Sequence, residues 1–236
     1  MNKSIVEFNR SRFERVVKWC NANGVVPEES FLRVSEALLS GVGTYNFDIK
    51  NGKKAATDVT LNRNDLFIPF GIGMFIAFDG KNSAGNPDGK GTFYTFAPKA
   101  GTNQPIGFTK DDIDALYNGI LSMNFGQTVI NSAFPMLNFR HIPETQNVAI
   151  YDGANMVSAN IQPQFDILDA LYPLAPAYYM QGTEDIQIRV DFPASGANFA
   201  LTTPSGVTVE PRLYLYLSGV LVKNAADKAK SSPLAL

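Results

Sequence analysis

The sequence predicts a mainly β fold, an antiparallel β-sandwich preceded by short N-terminal helices, on three observations. From Tyr45 onward, short apolar runs are separated by clusters of Gly, Asn, Asp and Pro, the texture of strands joined by turns. Residues 185–192 alternate strictly: Ile186, Ile188, Val190 and Phe192 fall on one face and Asp185, Gln187, Arg189 and Asp191 on the other. Successive strand residues point to opposite sides, so this strand has one buried and one wet face. Residues 212–222 are denser, with Leu213, Leu215 and Leu217 alternating with Tyr214, Tyr216 and Ser218. A strand apolar on both faces reads as central and covered on both sides.

The elements follow in order. Phe13, Val16, Val17 and Cys20 recur at i, i+3, i+4 and i+7, which predicts an amphipathic helix ended by Asn23-Gly24. Pro27 suits a first helical turn and Glu28 and Glu29 suit the positive end of a helix dipole. Phe31, Val34, Leu38 and Leu39 then supply the stripe of a second helix running to about Ser40, ended by Gly41 and Gly43. Residues 1–44 are thus expected to form an N-terminal helical arm. Further strands are expected over residues 59–70, 73–78, 92–96, 119–130, 136–140, 178–181 and 207–209. Residues 79–91 (DGKNSAGNPDGKG) are too rich in Gly, Asn and Asp to be regular and read as an exposed loop. Thr109 with Asp112 resembles a capping box opening a short helix through Asp114, Leu116 and Tyr117, and another helix is expected near residues 165–171. The sandwich is placed at residues 45–223. Residues 224–236, NAADKAKSSPLAL, have little to bury and read as a flexible tail or an arm ordered by a partner.

Composition bounds the chemistry. A chain of 236 residues buries about 70–75% of its unfolded surface and needs neither disulfide nor metal to fold. The single cysteine, Cys20, excludes an internal disulfide, and the single histidine, His141, excludes a His-rich metal site. Twenty basic against 22 acidic side chains give a net charge of -2, without the broad positive field of a protein whose whole surface grips nucleic acid. Only the N-terminal stretch through Trp19 offers a local excess, from Lys3, Arg10, Arg12, Arg15 and Lys18 against Glu7 and Glu14. The N-terminus lacks the apolar run of a secretory signal, and the reading is a cytoplasmic origin. The longest apolar stretch, residues 66–78, is broken by Pro69, Gly71 and Gly73 and is too short for a membrane-spanning helix.

No constellation announces a reaction. Asp111, Asp112 and Asp114 offer oxygen ligands for a hard cation, but carboxylates in a first helical turn are favoured by the dipole alone. Gly41-Val-Gly43 and Gly71-Ile-Gly73 lack the third glycine and the strand-to-helix context of a dinucleotide fingerprint. His141, beside Arg140, lacks a motif supplying a nucleophile and is read as a loop or edge histidine. Glu184 and Asp185 are neighbours on a strand, face opposite ways, and cannot flank one glycosidic bond. The aromatic clusters GTFYTF, PAYYM and RLYLYL are read as core or subunit contacts. The reading is not an enzyme, with no catalytic residue, cofactor, metal or small-molecule substrate.

The organisation resembles that of jelly-roll capsid proteins of bacteriophages. The resemblance is carried by LYNGILSMNFGQTVINSAFPMLNFRHIPETQ (residues 116–146), EDIQIRVDF and PRLYLYLSGVLVK, and covers about residues 59–223. It implies a virion shell component, assembled in the host cytoplasm, whose partners are copies of itself and other virion proteins, with nucleic-acid contact only through the N-terminal arm. The alternative is a β-sandwich carbohydrate- or receptor-binding module of a phage, using the 79–91 loop or exposed tyrosines.

Overall fold

The computed structural model describes residues 3–39, 41–51, 54–81, 83–91, 93–95, 110–126, 128–141, 145–152, 155–163, 167, 170–174, 178–192 and 210–231. Helix α1 (Lys3–Asn23) opens the chain, followed by strands β1 (Pro27–Ala37), β2 (Thr44–Phe47) and β3 (Leu66–Asp79). Helix α2 (Lys110–Tyr117) precedes the hairpin β4 (Ile120–Phe125) and β5 (Thr128–Pro135), then a 3-10 turn, Met136–Phe139. A second hairpin, β6 (Thr145–Asp152) and β7 (Asn155–Pro163), leads to the short β8 (Tyr172–Pro173) and β9 (Met180–Gln181). Strands β10 (Ile186–Asp191) and β11 (Glu210–Val222) and helix α3 (Ala226–Ser231) complete the order.

Apart from the β6–β7 hairpin, a two-stranded sheet of its own, the strands form two antiparallel sheets packed face to face, which is the expected sandwich. The first runs β1-β11-β3-β8, with β9 also on β3; the second runs β2-β10-β4-β5. Between them lie Leu32 and Val34 of β1, Phe67, Ile72, Met74 and Ile76 of β3, and Leu213, Leu215 and Leu217 of β11. They face Tyr45 and Phe47 of β2, Leu121, Met123 and Phe125 of β4, and Ile186, Ile188 and Val190 of β10. The alternation read in residues 185–192 is therefore realised, with Gln187 and Arg189 exposed opposite the buried row.

Strand β11 lies between β1 and β3 and is covered on both faces, as its double apolar pattern requires. At one end α1 and α3 lay Val16, Trp19, Cys20, Ala225 and Ala229 over Leu66, Ile68, Val220 and Val222. At the other, Phe93, Ile167, Ala170 and Leu171 cover Phe75, Ala77 and Tyr214. The outer face of the second sheet has no such cover among the described residues.

Four expectations are corrected. The segment read as a second helix is strand β1, paired with β11 along its whole length from Pro27 opposite Val222 to Ala37 opposite Arg212. Its Phe31, Val34, Leu38 spacing fits a helix, but Leu32 and Val34 also satisfy a period of two, and the pairing with β11 decides. Residues 1–44 thus include an edge strand of the sandwich. The α1 face is rotated by one residue: Arg12 is fully buried while Phe13 is 42% exposed. Arg12 lies over the Phe70 ring at 5.1 Å and donates to the carbonyls of Leu174 (2.6 Å) and Pro69 (3.4 Å). In the segment expected as a flexible tail, Ala226–Ser231 form α3, which docks on the sandwich through Ala226 and Ala229, with Lys228 Nζ donating to the Asn23 carbonyl at 2.5 Å. Last, the strands expected over 59–70 and 73–78 give way to one continuous strand, β3, from Leu66 to Asp79, with Val59 making only a bridge to Arg33. Pro69 of β3 lies opposite Gly219, at a register shift where β3 carries one extra residue, Phe70, against β11. A Cβ on Gly219 would sit 2.1 Å from the Ile68 carbonyl oxygen, so only glycine fits this approach.

Smaller differences follow. Residues 119–130 divide into β4 and a hairpin turn at Gly126, φ +58°, and residues 136–140 form a 3-10 turn instead of a strand. The 92–96 expectation reduces among the described residues to a bridge between Tyr94 and Ile76. The 207–209 strand and the Thr109 cap lie outside the described residues, as does most of the helix expected at 165–171; the turn donating Ala170 N to Ile167 O is what is described there. Strands β6 and β7 were not anticipated.

Candidate functional site

The uncovered face of the second sheet carries a groove of about 740 Å³ lined by polar side chains of β2, β10 and β4 and of the turn after β2. The register explains its composition. Antiparallel pairing sets Asn46, Arg189 and Ser122 in one row across three strands and Gln187 beside Asn124 in the next. Residues directly opposite share a face, so the polar half of each alternating strand merges into one surface. Asp48, Lys50 and Asn51 close one side, and Asp185 and Asp191 stand at the two ends of β10.

The charges in this groove are largely satisfied from within. Asp191 accepts from Arg189 Nε and from the Thr44 hydroxyl, both at 2.8 Å. Partial burial raises its carboxyl, yet these donors and the guanidinium charge outweigh burial and hold it below the usual carboxylate range. Asp48 caps its own turn, accepting from the backbone N–H groups of Lys50 (2.9 Å) and Asn51 (3.0 Å). Lys50 Nζ reaches the Glu184 carbonyl at 2.6 Å, and Gln187 Nε2 donates to Asp185 at 2.8 Å. The side-chain amides of Asn46 and Asn124 have no such engagement among the described residues.

A second polar concentration is closed to solvent. Asp79, at the end of β3, is fully buried; it accepts from the Tyr214 hydroxyl and from Gly91 N (3.0 Å), with Arg212 Nε 3.9 Å away. Burial raises the Asp79 carboxyl above its ordinary range, against the pull of these donors, and burial together with the Asp79 charge raises Tyr214. Arg212 donates to Glu210 (2.5 Å) and to Ser35, whose hydroxyl reaches Asp58 at 3.0 Å; Asp58 takes two more N–H groups from Lys54 and Ala55. This network ties β1, β3, β11 and the segment after β2 together. It presents no open face for a reactant, and we read it as structural.

The residues singled out from the sequence are dispersed. Asp114 pairs with Arg140 at 2.5 Å, while the side chains of Asp111 and Asp112 lie outside the described residues. The His141 carbonyl accepts from Thr95. Gly41-Val-Gly43 joins two strands and Gly71-Ile-Gly73 lies within one, so neither cradles a helix start. Asp185 lines the groove and Glu184 does not. The tip of the 79–91 loop, described residues 81 and 83–86, is exposed, but its base is held by the Lys81–Pro87 bridge and by Thr57 Oγ1 donating to the Gly89 carbonyl at 3.0 Å. Of the N-terminal cations with described side chains, Arg12 is buried and Arg10 pairs with Glu14 at 3.3 Å, leaving Arg15 and Lys18 as the exposed remainder. Tyr214 and Phe93 pack in the covered face, and Tyr178 packs edge-on to Phe125 at 6.3 Å. Among the described residues no group of three metal-ligating side chains is found, and no helix is long and apolar enough to cross a membrane. Comparison with protein-family models, with curated proteins and with solved structures yields no match.

Proposed function

We propose that this protein is a virion structural subunit, a shell component assembled in the host cytoplasm from copies of itself and other virion proteins. The observation that carries the reading is the β6–β7 hairpin, which among the described residues pairs within itself and with neither sheet of the sandwich. A lone two-stranded hairpin is marginally stable in water, so a hairpin of eight and nine residues gains by packing on something beyond its own pairing. A neighbouring subunit supplies that in a repeating shell. Supporting it, Ile120 (46% exposed), Val129 (63%) and Leu137 (55%) leave apolar surface along the β4–β5 side that leads into this hairpin.

Helices α1 and α3 do not serve as arms on this reading, since both pack on their own sandwich. Because Thr145 is paired with Pro163, residues 146–162 can be replaced by a two-residue turn without moving the flanking chain. The shortened protein should keep its β-rich circular dichroism spectrum and lose high-order assembly in sedimentation. Assembly that persists unchanged in the shortened protein, or a full-length chain that remains a monomer at high concentration, would refute the reading.

A further inference from the structure

We propose that the groove on the outer face of the second sheet binds a neutral, hydroxyl-rich ligand, an oligosaccharide, through the side-chain amides of Asn46, Asn124 and Gln187. This goes beyond the structural role and stands independently of it. Three carboxylates against Lys50 and Arg189 leave the lining at a net -1, and its charges are bonded to one another, to backbone groups, to the Thr44 hydroxyl or, for Asp185, to the Gln187 amide nitrogen, which leaves the Gln187 amide oxygen for a ligand. An anionic ligand finds no uncommitted cation there. What is left to offer a ligand is amide: Asn46 and Asn124 each carry two donors and one acceptor oxygen. A sugar hydroxyl donates and accepts at a single atom, which suits amide groups better than it suits either sign of charge.

Geometry supports the same class. Strands β2 and β4 flank β10, and Asn46 and Asn124 are offset by two residues along the strands, so two strand spacings and that offset put them about 12 Å apart on the diagonal. A ligand touching both crosses β10 between Arg189, registered with Asn46, and Gln187, registered with Asn124. The volume of about 740 Å³ lies within the usual range for ligand clefts, roughly 300–1,000 Å³. The side chains stand on three registered strands, so little ordering is required on binding. An extended peptide recognised by strand addition needs an open edge, and β10 has both edges consumed by β2 and β4.

The test uses the full chain and a panel of neutral oligosaccharides (maltose, cellobiose, lactose and their longer homologues), read by calorimetry and by backbone amide shifts in NMR. At least one neutral sugar should bind, with shifts confined to β2, β4 and β10. The double substitution Asn46→Ala with Asn124→Ala should weaken binding at least tenfold, while Lys81→Ala in the exposed loop should leave it unchanged. If the double variant does not fold, Gln187→Ala and the shift map of the unmodified chain decide the question. Shifts centred on residues 81–91, binding unaffected by the groove substitutions, preference for sialylated or phosphorylated probes, or no binding at millimolar sugar would each overturn the proposal.

Discussion

Starting the chain at Tyr45 should destroy the fold, because the removed residues cover surface the rest of the molecule needs buried. From α1, Val16 and Trp19 are 0% and 9% exposed; from β1 and the residue after it, Leu32, Val34 and Leu38 are 3%, 2% and 2% exposed. Burying one such side chain is worth about 1.5–3 kcal/mol, so five give about 8–15 kcal/mol. The area each covers on its neighbours is comparable to the area it buries itself. Truncation therefore withdraws a similar sum from the remaining chain, whose own ordering cost is unchanged. Whole-domain stability is about 5–15 kcal/mol. The loss also turns β11, a thirteen-residue strand apolar on both faces, into an open edge, which is a template for aggregation. Expression of residues 45–236 should give insoluble or aggregated protein, and any soluble fraction should lack a cooperative thermal transition by circular dichroism. A soluble, β-rich truncated protein melting within about 5 °C of the full chain would refute this reasoning, since even 2–3 kcal/mol shifts the midpoint of a chain this size by roughly that much.

Two further outcomes follow from the sheets. Ile188→Ala, in the buried row of β10, should cost about 2–5 kcal/mol, whereas Arg189→Ala on the wet face should stay within about 1 kcal/mol; thermal melts that reverse the order would mean the strand is out of register by one residue. Asp79 has its folded pKa raised by burial, so the native state holds its proton more tightly than the unfolded chain does, and its contribution is most favourable below about pH 3.8 and diminishes as pH rises through the folded value. Asp79→Asn should remove that component, and a difference profile of melting temperature against pH that is flat, or that slopes the other way, would show that Asp79 is not perturbed as the geometry requires.

How much of this was legible follows from what each element depends on. Strand β10 was readable because one side faces the core and the other faces water, so its sequence carries the period directly. Strand β11 was readable as central from its two apolar faces. Strand β1 was not, because Phe31, Val34 and Leu38 suit a helical stripe while its pairing partner lies some 180 residues further along the chain. The rotation of α1 had a related cause. Arg12, Val16, Trp19 and Cys20 form an i, i+4, i+7, i+8 stripe, but an arginine is counted as polar unless the carbonyls of Leu174 and Pro69 that receive it are known. The groove was half legible: the wet residues of β10 were named from sequence, yet Asn46 and Asn124 join them only through a strand register that local patterning does not encode.

The two sheets differ in what remains available to other molecules. The first is covered by α1 and α3 and by the segments holding Phe93 and Leu171, so its outer surface is committed to intramolecular packing. Among the described residues the second keeps one face bare and ends on β5, an edge strand bearing the exposed Val129 and followed by the exposed Leu137. Its bare face is polar where β2, β10 and β4 meet and apolar toward the β4–β5 side. A polar, internally neutralised groove is costly to cover with protein because its amides would need new partners, while exposed Val and Leu side chains favour being covered. This chemistry divides the second sheet into a surface suited to a hydroxyl-rich ligand and a surface suited to a neighbouring subunit.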